Sequence, residues 1–147
     1  HKVFLKISKK IDIKIFHQTK INNINNLKRF YKKGGIENKV FNFDKNFLNS
    51  IKKCSFCITR AGASTLAELF ILNIPFLAIP LPGSKDNHQY ENAKYYEDKN
   101  CCWIVDQKKF DKKKFEQLLL KISKKDEDYV AKKGNLKKLM RINYTDC

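Results

Sequence analysis

Thr59-Arg-Ala-Gly-Ala-Ser-Thr-Leu-Ala-Glu68 decides how this chain is read. The run before it, Ser55-Phe-Cys-Ile58, is apolar, and the run after it keeps a helical spacing to about Asn73. That order predicts a strand, a tight turn at Ala61-Gly62-Ala63, and a helix whose first turn holds Ser64 and Thr65. In an α/β sheet such a turn offers backbone N–H groups at the positive end of a helix, where a phosphate is favoured. Gly62 admits a bulky group at close range and allows a positive φ if the turn needs one. Glu68 stands one helical turn further on, and a carboxylate that accepts two parallel hydrogen bonds suits the vicinal diol of a ribose. The same residues also fit a plain small-residue N-cap followed by a solvated glutamate.

Working outward, strands and helices alternate. Residues 3–10 read as the tail of a helix and 11–16 as an alternating strand ending at His17-Gln18-Thr19. A helix over 22–33 carries Ile24, Leu27, Phe30 and Tyr31 and stops at Gly34-Gly35. A short strand is expected over 39–43, a short helix over 47–53 with Leu48 and Ile51 inward, a strand over 55–59 and a helix over 64–72. Phe76-Leu-Ala-Ile79 is the continuous apolar run of a strand buried on both faces. A loop at Pro80-Leu-Pro-Gly83 precedes a helix capped by Asp86 or Asn87 and running to about Asp98. The strand Cys101–Val105 follows, then a helix over 110–123 with Phe115, Leu118, Leu119 and Ile122 on one side. Residues 126–140 predict a helix with a weak core face that Gly134 breaks, leaving 126–147 as an ill-defined tail.

Right-handed crossovers between such units give a parallel, three-layer α/β sheet, with ligands held outside the carboxyl ends of the strands. Residues 59–65 and 81–89 fall at those ends, as do His17 and, in looser fashion, Phe43-Asp44. In Asp86-Asn-His-Gln-Tyr-Glu-Asn-Ala93, His88 and Gln89 occupy the first turn of a helix, where an imidazole and an amide can read sugar hydroxyls as donors and acceptors. Asn92 lies a turn further and supports the same site or caps a loop. Arg60 pairs with a phosphate or with a local carboxylate. It is one of three arginines, with Arg29 and Arg141, among 31 basic residues, which favours a need for guanidinium geometry.

Bulk properties narrow the classes. A chain of 147 residues, 42% hydrophobic, is one ordinary domain with room for a core. No run approaches the roughly 18 apolar residues of a membrane span. The first residues read as the middle of an element, so the expectation is a fragment whose natural start is missing. The net charge of +16 invites a nucleic-acid partner, but nearly all of it is lysine spread over every solvated face. A weak preference for anionic surfaces, such as a lipid leaflet, is the expectation, with no nucleic acid. Cys54 and Cys57 have the spacing of a redox or metal pair but would point to opposite faces of a strand. With Cys101 and Cys102 they read as small buried hydrophobes in a reducing cytosol. No Ser-His-Asp or Cys-His arrangement can be argued, His1, His17 and His88 lack metal-ligand spacing, and no phosphate-loop lysine or dinucleotide fingerprint appears. No metal and no cofactor is expected.

The segment from Thr59 to Glu68, the dipeptides Ile74-Pro75 and Ile79-Pro80, and the segment from Asp86 to Ala93 resemble the C-terminal domain of the MurG family, as does Phe16-His-Gln-Thr19. That family transfers N-acetylglucosamine from its UDP donor to undecaprenyl-diphospho-N-acetylmuramoyl-pentapeptide, converting lipid I to lipid II in bacterial peptidoglycan synthesis. The resemblance runs over roughly residues 1–125 and implies a Rossmann-like parallel-sheet domain, the C-terminal, donor-binding half of a GT-B glycosyltransferase. It implies that Glu68 holds the ribose, that the turn Ala63-Ser64-Thr65, opened by Gly62, meets the diphosphate and sugar, and that His88 and Gln89 read the N-acetylglucosamine hydroxyls. Gln18, Arg60 and Asn92 would line the same cleft, and the uracil pocket would fall near Phe43-Asp44. The chain is thus expected to be a single UDP-sugar-binding domain over 1–147, without the acceptor domain that carries the candidate base and most lipid I contacts. No catalytic residue is assigned, the chain alone is expected to be inactive, and the whole enzyme is expected on the cytoplasmic face of the bacterial inner membrane as a peripheral protein. The alternatives are a standalone donor-binding subunit of a two-component glycosyltransferase and a basic nucleic-acid-binding α/β domain.

Overall fold

The structure is a computed structural model that describes residues 1–83 and 87–145, with side chains as far as residue 143. It divides into two compact units, His1–Lys53 and Cys54–Cys147.

In the first unit, helix α1 (Lys2–Ser8) precedes strand β1 (Lys14–Gln18), and a single 3-10 turn (Ile21–Asn23) leads into α2 (Ile24–Lys33). Strand β2 (Glu37–Phe41) and the short α3 (Phe47–Ile51) follow. The two strands pair in parallel with Lys14 opposite Glu37 and Gln18 opposite Phe41. Tyr31, Ile36 and Val40 form the buried centre, and Phe4, Leu5, Ile15, Leu27 and Phe30 pack around it. The Tyr31 hydroxyl lies 2.8 Å from His17 Nδ1, and burial pushes the Tyr31 phenol up to about 12. Both strands begin two or three residues later or earlier than the apolar alternation indicates. Ladder pairing sets their limits, and alternation reports only which face is inward. On α3 Ile51 is buried as expected, whereas Leu48, also expected inward, is 49% exposed and Ser50 is buried in its stead.

The second unit runs β3 (Cys57–Thr59), α4 (Ala63–Ile71), β4 (Phe76–Ala78), α5 (His88–Glu97), β5 (Cys102–Ile104), α6 (Lys112–Ser123) and α7 (Glu127–Thr145). Its sheet is parallel in the order β3-β4-β5, with Cys57, Phe76 and Cys102 in one row and Thr59, Ala78 and Ile104 in another. Phe76, Leu77 and Ala78 are each completely buried, so the central strand is covered on both faces, as its uninterrupted apolar run requires. Tyr96 of α5 ties the layers together: its ring stands 5.4 Å from that of Phe76 and 5.8 Å from that of Phe70 on α4. Cys101 and Cys102 are buried as small hydrophobes. Cys54 lies before β3 rather than on it, so the opposite-face reading of Cys54 and Cys57 does not apply. Burial, with the neighbouring Cys54 second, pushes the Cys57 thiol up to about 12, and burial does the same to Cys102.

The C-terminal segment is a continuous helix of 19 residues, which Gly134 does not break. It is fastened by polar contacts that an apolar-periodicity reading does not count. Trp103 Nε1 donates to Asp128 at 2.7 Å, the Tyr129 hydroxyl donates to the Ser55 carbonyl at 2.8 Å, and the buried Lys132 ammonium donates to Asn100 Oδ1 at 2.5 Å. Four of the helices end in the same way. After α2, α4, α5 and α6 a residue takes the left-handed conformation, namely Gly35, Asn73, Asn100 and Lys125. The next N–H then bonds back over the helix end, as in Ile36 to Tyr31, Ile74 to Leu69, Cys101 to Tyr96 and Asp126 to Lys121. These are the paired bonds of a Schellman motif.

Truncating Leu77 to alanine in the fully buried strand should cost about 2–5 kcal/mol of unfolding free energy. Gly134→Ala should instead add about 0.5–1 kcal/mol, because Gly134 sits mid-helix and an added Cβ would meet nothing within 4 Å. Urea titrations would read opposite shifts of the midpoint. The raised Cys57, Cys102 and Tyr31 values also fix a pH dependence. The unfolded chain ionises these groups at their ordinary values, so their stabilisation is complete below that range and is lost as pH rises toward about 12. The urea midpoint should therefore fall between about pH 8 and about pH 11, and a flat profile would contradict the assignment.

Candidate functional site

The three strands of the second unit end together at Thr59, Ala78 and Ile104, so the turns leaving them rise from one edge. The ladder continues one step beyond, with Ile79 N–H on Thr59 O at 2.8 Å and Val105 N–H on Ala78 O at 3.0 Å. The first turn is Arg60–Gly62. Gly62 is the N-cap of α4, with φ −68° and ψ 134°, and no side chain caps the helix. The N–H groups of its first turn, at Ala63, Ser64 and Thr65, therefore lack the partner that an N-cap side chain usually supplies. The turn does not need a positive φ, and a Cβ at Gly62 would meet nothing within 4 Å. What the glycine leaves is open space in front of uncapped amides. Ala63 and Ser64 are exposed and Thr65 is half-buried. Glu68 is half-buried one turn on; helical spacing of three and four residues puts it on the face of Thr65 and Ser64, while Leu66 and Leu69 go to the core.

The second turn leads to α5. Asn87, one of the two expected caps, occupies the N-cap position in the left-handed conformation without a side-chain cap bond; Asp86, the other, lies outside the described residues. His88 is exposed and Gln89 half-buried. Gln89 Oε1 accepts from the Leu81 N–H at 2.9 Å, which secures the loop after β4 and uses the oxygen rather than the N–H₂ donors of its amide. Asn92 Nδ2 donates to the Ala61 carbonyl at 3.1 Å. That bond joins α5 to the turn before α4, and the two helices pack side by side. The two segments quoted from the sequence are thus neighbours in the structure, with Asn92 as the link.

Among the described residues Arg60 does not pair with a local carboxylate, the second of the two partners anticipated for it. Its Nη1 donates to the Ile79 carbonyl at 3.1 Å and to Gln107 Oε1 at 2.8 Å. Together with Ile58, Thr59 and Phe110 these residues line an open groove of about 410 Å³. Sequence reasoning missed Gln107, since a glutamine among lysines after a strand carries no local signal. The scarcity of arginine pointed to the geometry at Arg60 but not to its partner.

Gln18 belongs to the first unit. Its Nε2 donates to the Asn42 carbonyl at 3.2 Å, and Asn42 Nδ2 donates to the Thr19 carbonyl at 3.0 Å, so the pair ties together the carboxyl ends of β1 and β2. In the same unit Phe43 is 76% exposed. Its neighbour Asp44 receives the Lys39 ammonium at 2.5 Å, the Ser50 hydroxyl at 3.0 Å and the Asn46 N–H at 2.9 Å. The lysine first, then the backbone N–H, hold the Asp44 carboxyl below the usual carboxylate range. Burial lowers the His17 imidazole. Among the described residues no group of three or more His, Cys, Asp or Glu side chains is arranged to hold a metal ion.

A parallel α/β domain with its strand-to-helix turns gathered at one edge of the sheet is of the Rossmann-like class found in GT-B glycosyltransferases. The chain belongs to the glycosyltransferase family 28 C-terminal domain family, whose model matches residues 2–143. The match reaches well into α7, beyond the extent of the motifs read from sequence. The chain is 42% identical over 133 residues to the UDP-N-acetylglucosamine–N-acetylmuramyl-(pentapeptide) pyrophosphoryl-undecaprenol N-acetylglucosamine transferase of Pelagibacter ubique (strain HTCC1062), covering 90% of this chain and 37% of that protein. It is 34% identical over 117 residues to the transferase of the same name from Helicobacter acinonychis (strain Sheeba), covering 78% and 33%. It therefore spans about a third of the length of these curated relatives. Among solved structures, Acinetobacter baumannii MurG superposes with a TM-score of 0.78 at 21% identity over 92% of this chain and 42% of that one. The glycosyltransferase VinC in complex with dTDP gives 0.65 at 11% identity, over 92% and 32%. Both likenesses establish the GT-B domain fold.

Proposed function

We propose that this chain is the donor-binding half of a glycosyltransferase that moves N-acetylglucosamine from UDP-N-acetylglucosamine to the lipid-linked muramoyl-pentapeptide, lipid I. The reading is supported by the names of the relatives, and one structural observation carries it. The uncapped first turn of α4, opened by Gly62, stands beside the start of α5 through the Asn92–Ala61 bond. A diphosphate at Ala63, Ser64 and Thr65 would receive backbone N–H groups and the positive end of the helix. From there Glu68 is one turn along the same helix for the ribose hydroxyls, and His88 and Gln89 face the hexosamine. Arg60 and Asn92 border the same edge, and Gln18 is assigned to the ligand on the family resemblance alone.

In this reading the chain contributes binding, orientation and stabilisation of the departing UDP. The amides at the α4 N-terminus are fixed before the reaction and meet charge that grows on the leaving diphosphate as the glycosidic bond breaks. The acceptor hydroxyl and the base that takes its proton are assigned to the remainder of the protein, so turnover requires more than this chain. The single family model over 2–143 supports treating residues 1–147 as one donor domain. Among the described residues no helix is long and apolar enough to cross a membrane. A peripheral position on the cytoplasmic membrane face, favoured by a net charge of +16, is the matching proposal.

Calorimetry with UDP-N-acetylglucosamine tests the site. Glu68→Ala should weaken binding roughly tenfold or more, the loss of charge-assisted hydrogen bonds to the diol. Gly62→Ser keeps a good N-cap residue, so folding should be preserved, while the added side chain intrudes on the diphosphate and weakens binding. Parental affinity in both variants would remove the α4 N-terminus from the site.

A further inference from the structure

The Arg60 guanidinium has five N–H donors, and the described contacts use only Nη1, on the Ile79 carbonyl and on Gln107 Oε1. Nε and Nη2 make no hydrogen bond or ion pair with any described residue. Both partners of Nη1 are neutral oxygens, so the guanidinium is oriented without being neutralised. A carboxylate in the place of Gln107 would have held it equally well and cancelled its charge. The anchor is itself fixed. Gln107 opens a short 3-10 turn, Gln107–Lys109, which Asp106 caps by accepting the Lys108 N–H at 2.8 Å. The held side chain lines the open groove beside Ile79 and Phe110, and its own backbone leads directly into the uncapped turn before α4. In a chain that uses lysine almost everywhere, a planar fork with one nitrogen tethered and one edge unengaged matches what a two-oxygen anion requires.

We propose that Gln107 is a positioning residue: it pre-orients Arg60 so that the unengaged Nε–Nη2 edge receives the diphosphate of the nucleotide donor. This rests on the donor-binding reading above and deepens it. Gln107 need not touch the ligand. By holding a long, rotatable side chain in its bound conformation beforehand, it removes the ordering cost that binding would otherwise carry.

The test is a titration of the chain and its variants with uridine, UMP and UDP. UDP should bind the parent more tightly than uridine, and Arg60→Lys should reduce that difference. Gln107→Ala should weaken UDP roughly three- to tenfold, the ordering cost of one long side chain, and leave uridine unchanged. Gln107→Leu, which keeps the bulk but removes the acceptor, should behave the same way. In the Arg60→Lys background Gln107→Ala should add nothing, because the residue acts through the arginine. Parental UDP affinity in both Gln107 variants, with Arg60→Lys weakened, would overturn the positioning role alone. An equal loss for uridine and UDP would also overturn it, since that pattern marks general structural support. No effect of Arg60→Lys on UDP would remove Arg60 from the donor site, and the proposal would fall with that reading.

Discussion

Burial of both faces of β4 is the constraint on which the second unit rests. Phe76, Leu77 and Ala78 have no access to solvent, so their backbone groups must find partners within the sheet, and parallel neighbours on both sides supply them. Helices have to cover the apolar faces, which forces a crossover between each pair of strands. The direction common to β3, β4 and β5 then brings every strand-to-helix turn to the same edge. The candidate site is a consequence of that geometry. Residues as far apart in sequence as Arg60 and Gln107 meet across the strand ends, and Asn92 of one crossover helix reaches the turn that opens another.

The edge is organised by neutral hydrogen bonds more than by ion pairs. Gln89 holds the loop after β4, Asn92 holds the turn before α4, and Gln107 holds Arg60, each through an amide group. Amides fix geometry without changing the local charge. At Arg60 that leaves the positive charge of the guanidinium uncancelled. Among the described residues the carboxylates paired with lysine lie elsewhere, at Glu37 and Asp44 in the first unit, at Glu97 and Asp98 near the end of α5, and at Asp128 in α7.

Much of the architecture was legible in sequence because it follows from local rules. The apolar run at 76–79 announced a doubly covered strand, and the small residues at 61–63 announced a helix start. Gly34-Gly35 announced a helix end. The misreading of the C-terminal segment has one cause: polar tertiary contacts. Residues 126–147 looked like a loose tail because few apolar residues recur there, yet α7 is fastened through Asp128, Tyr129 and Lys132 to Trp103, Ser55 and Asn100. Such bonds leave no periodic trace. At the site, residue types and spacing named the helix turn and its neighbour, whereas the Arg60–Gln107 bond spans 47 positions and no short window contains it.

The left-handed reversals after α4 and α5 have a further consequence, for how such a domain can change over generations. Asn73 and Asn100 sit where the chain passes from a helix into the amino end of the next strand, and each is locked by two backbone bonds across the helix end. An insertion there would break both bonds and shift the strand behind it out of register. At the opposite edge the connection from β4 to α5 is longer, with nine residues between Ala78 and His88. Lineages that diverge in loop length therefore have one rim of the sheet to vary, and it is the rim that carries the candidate site.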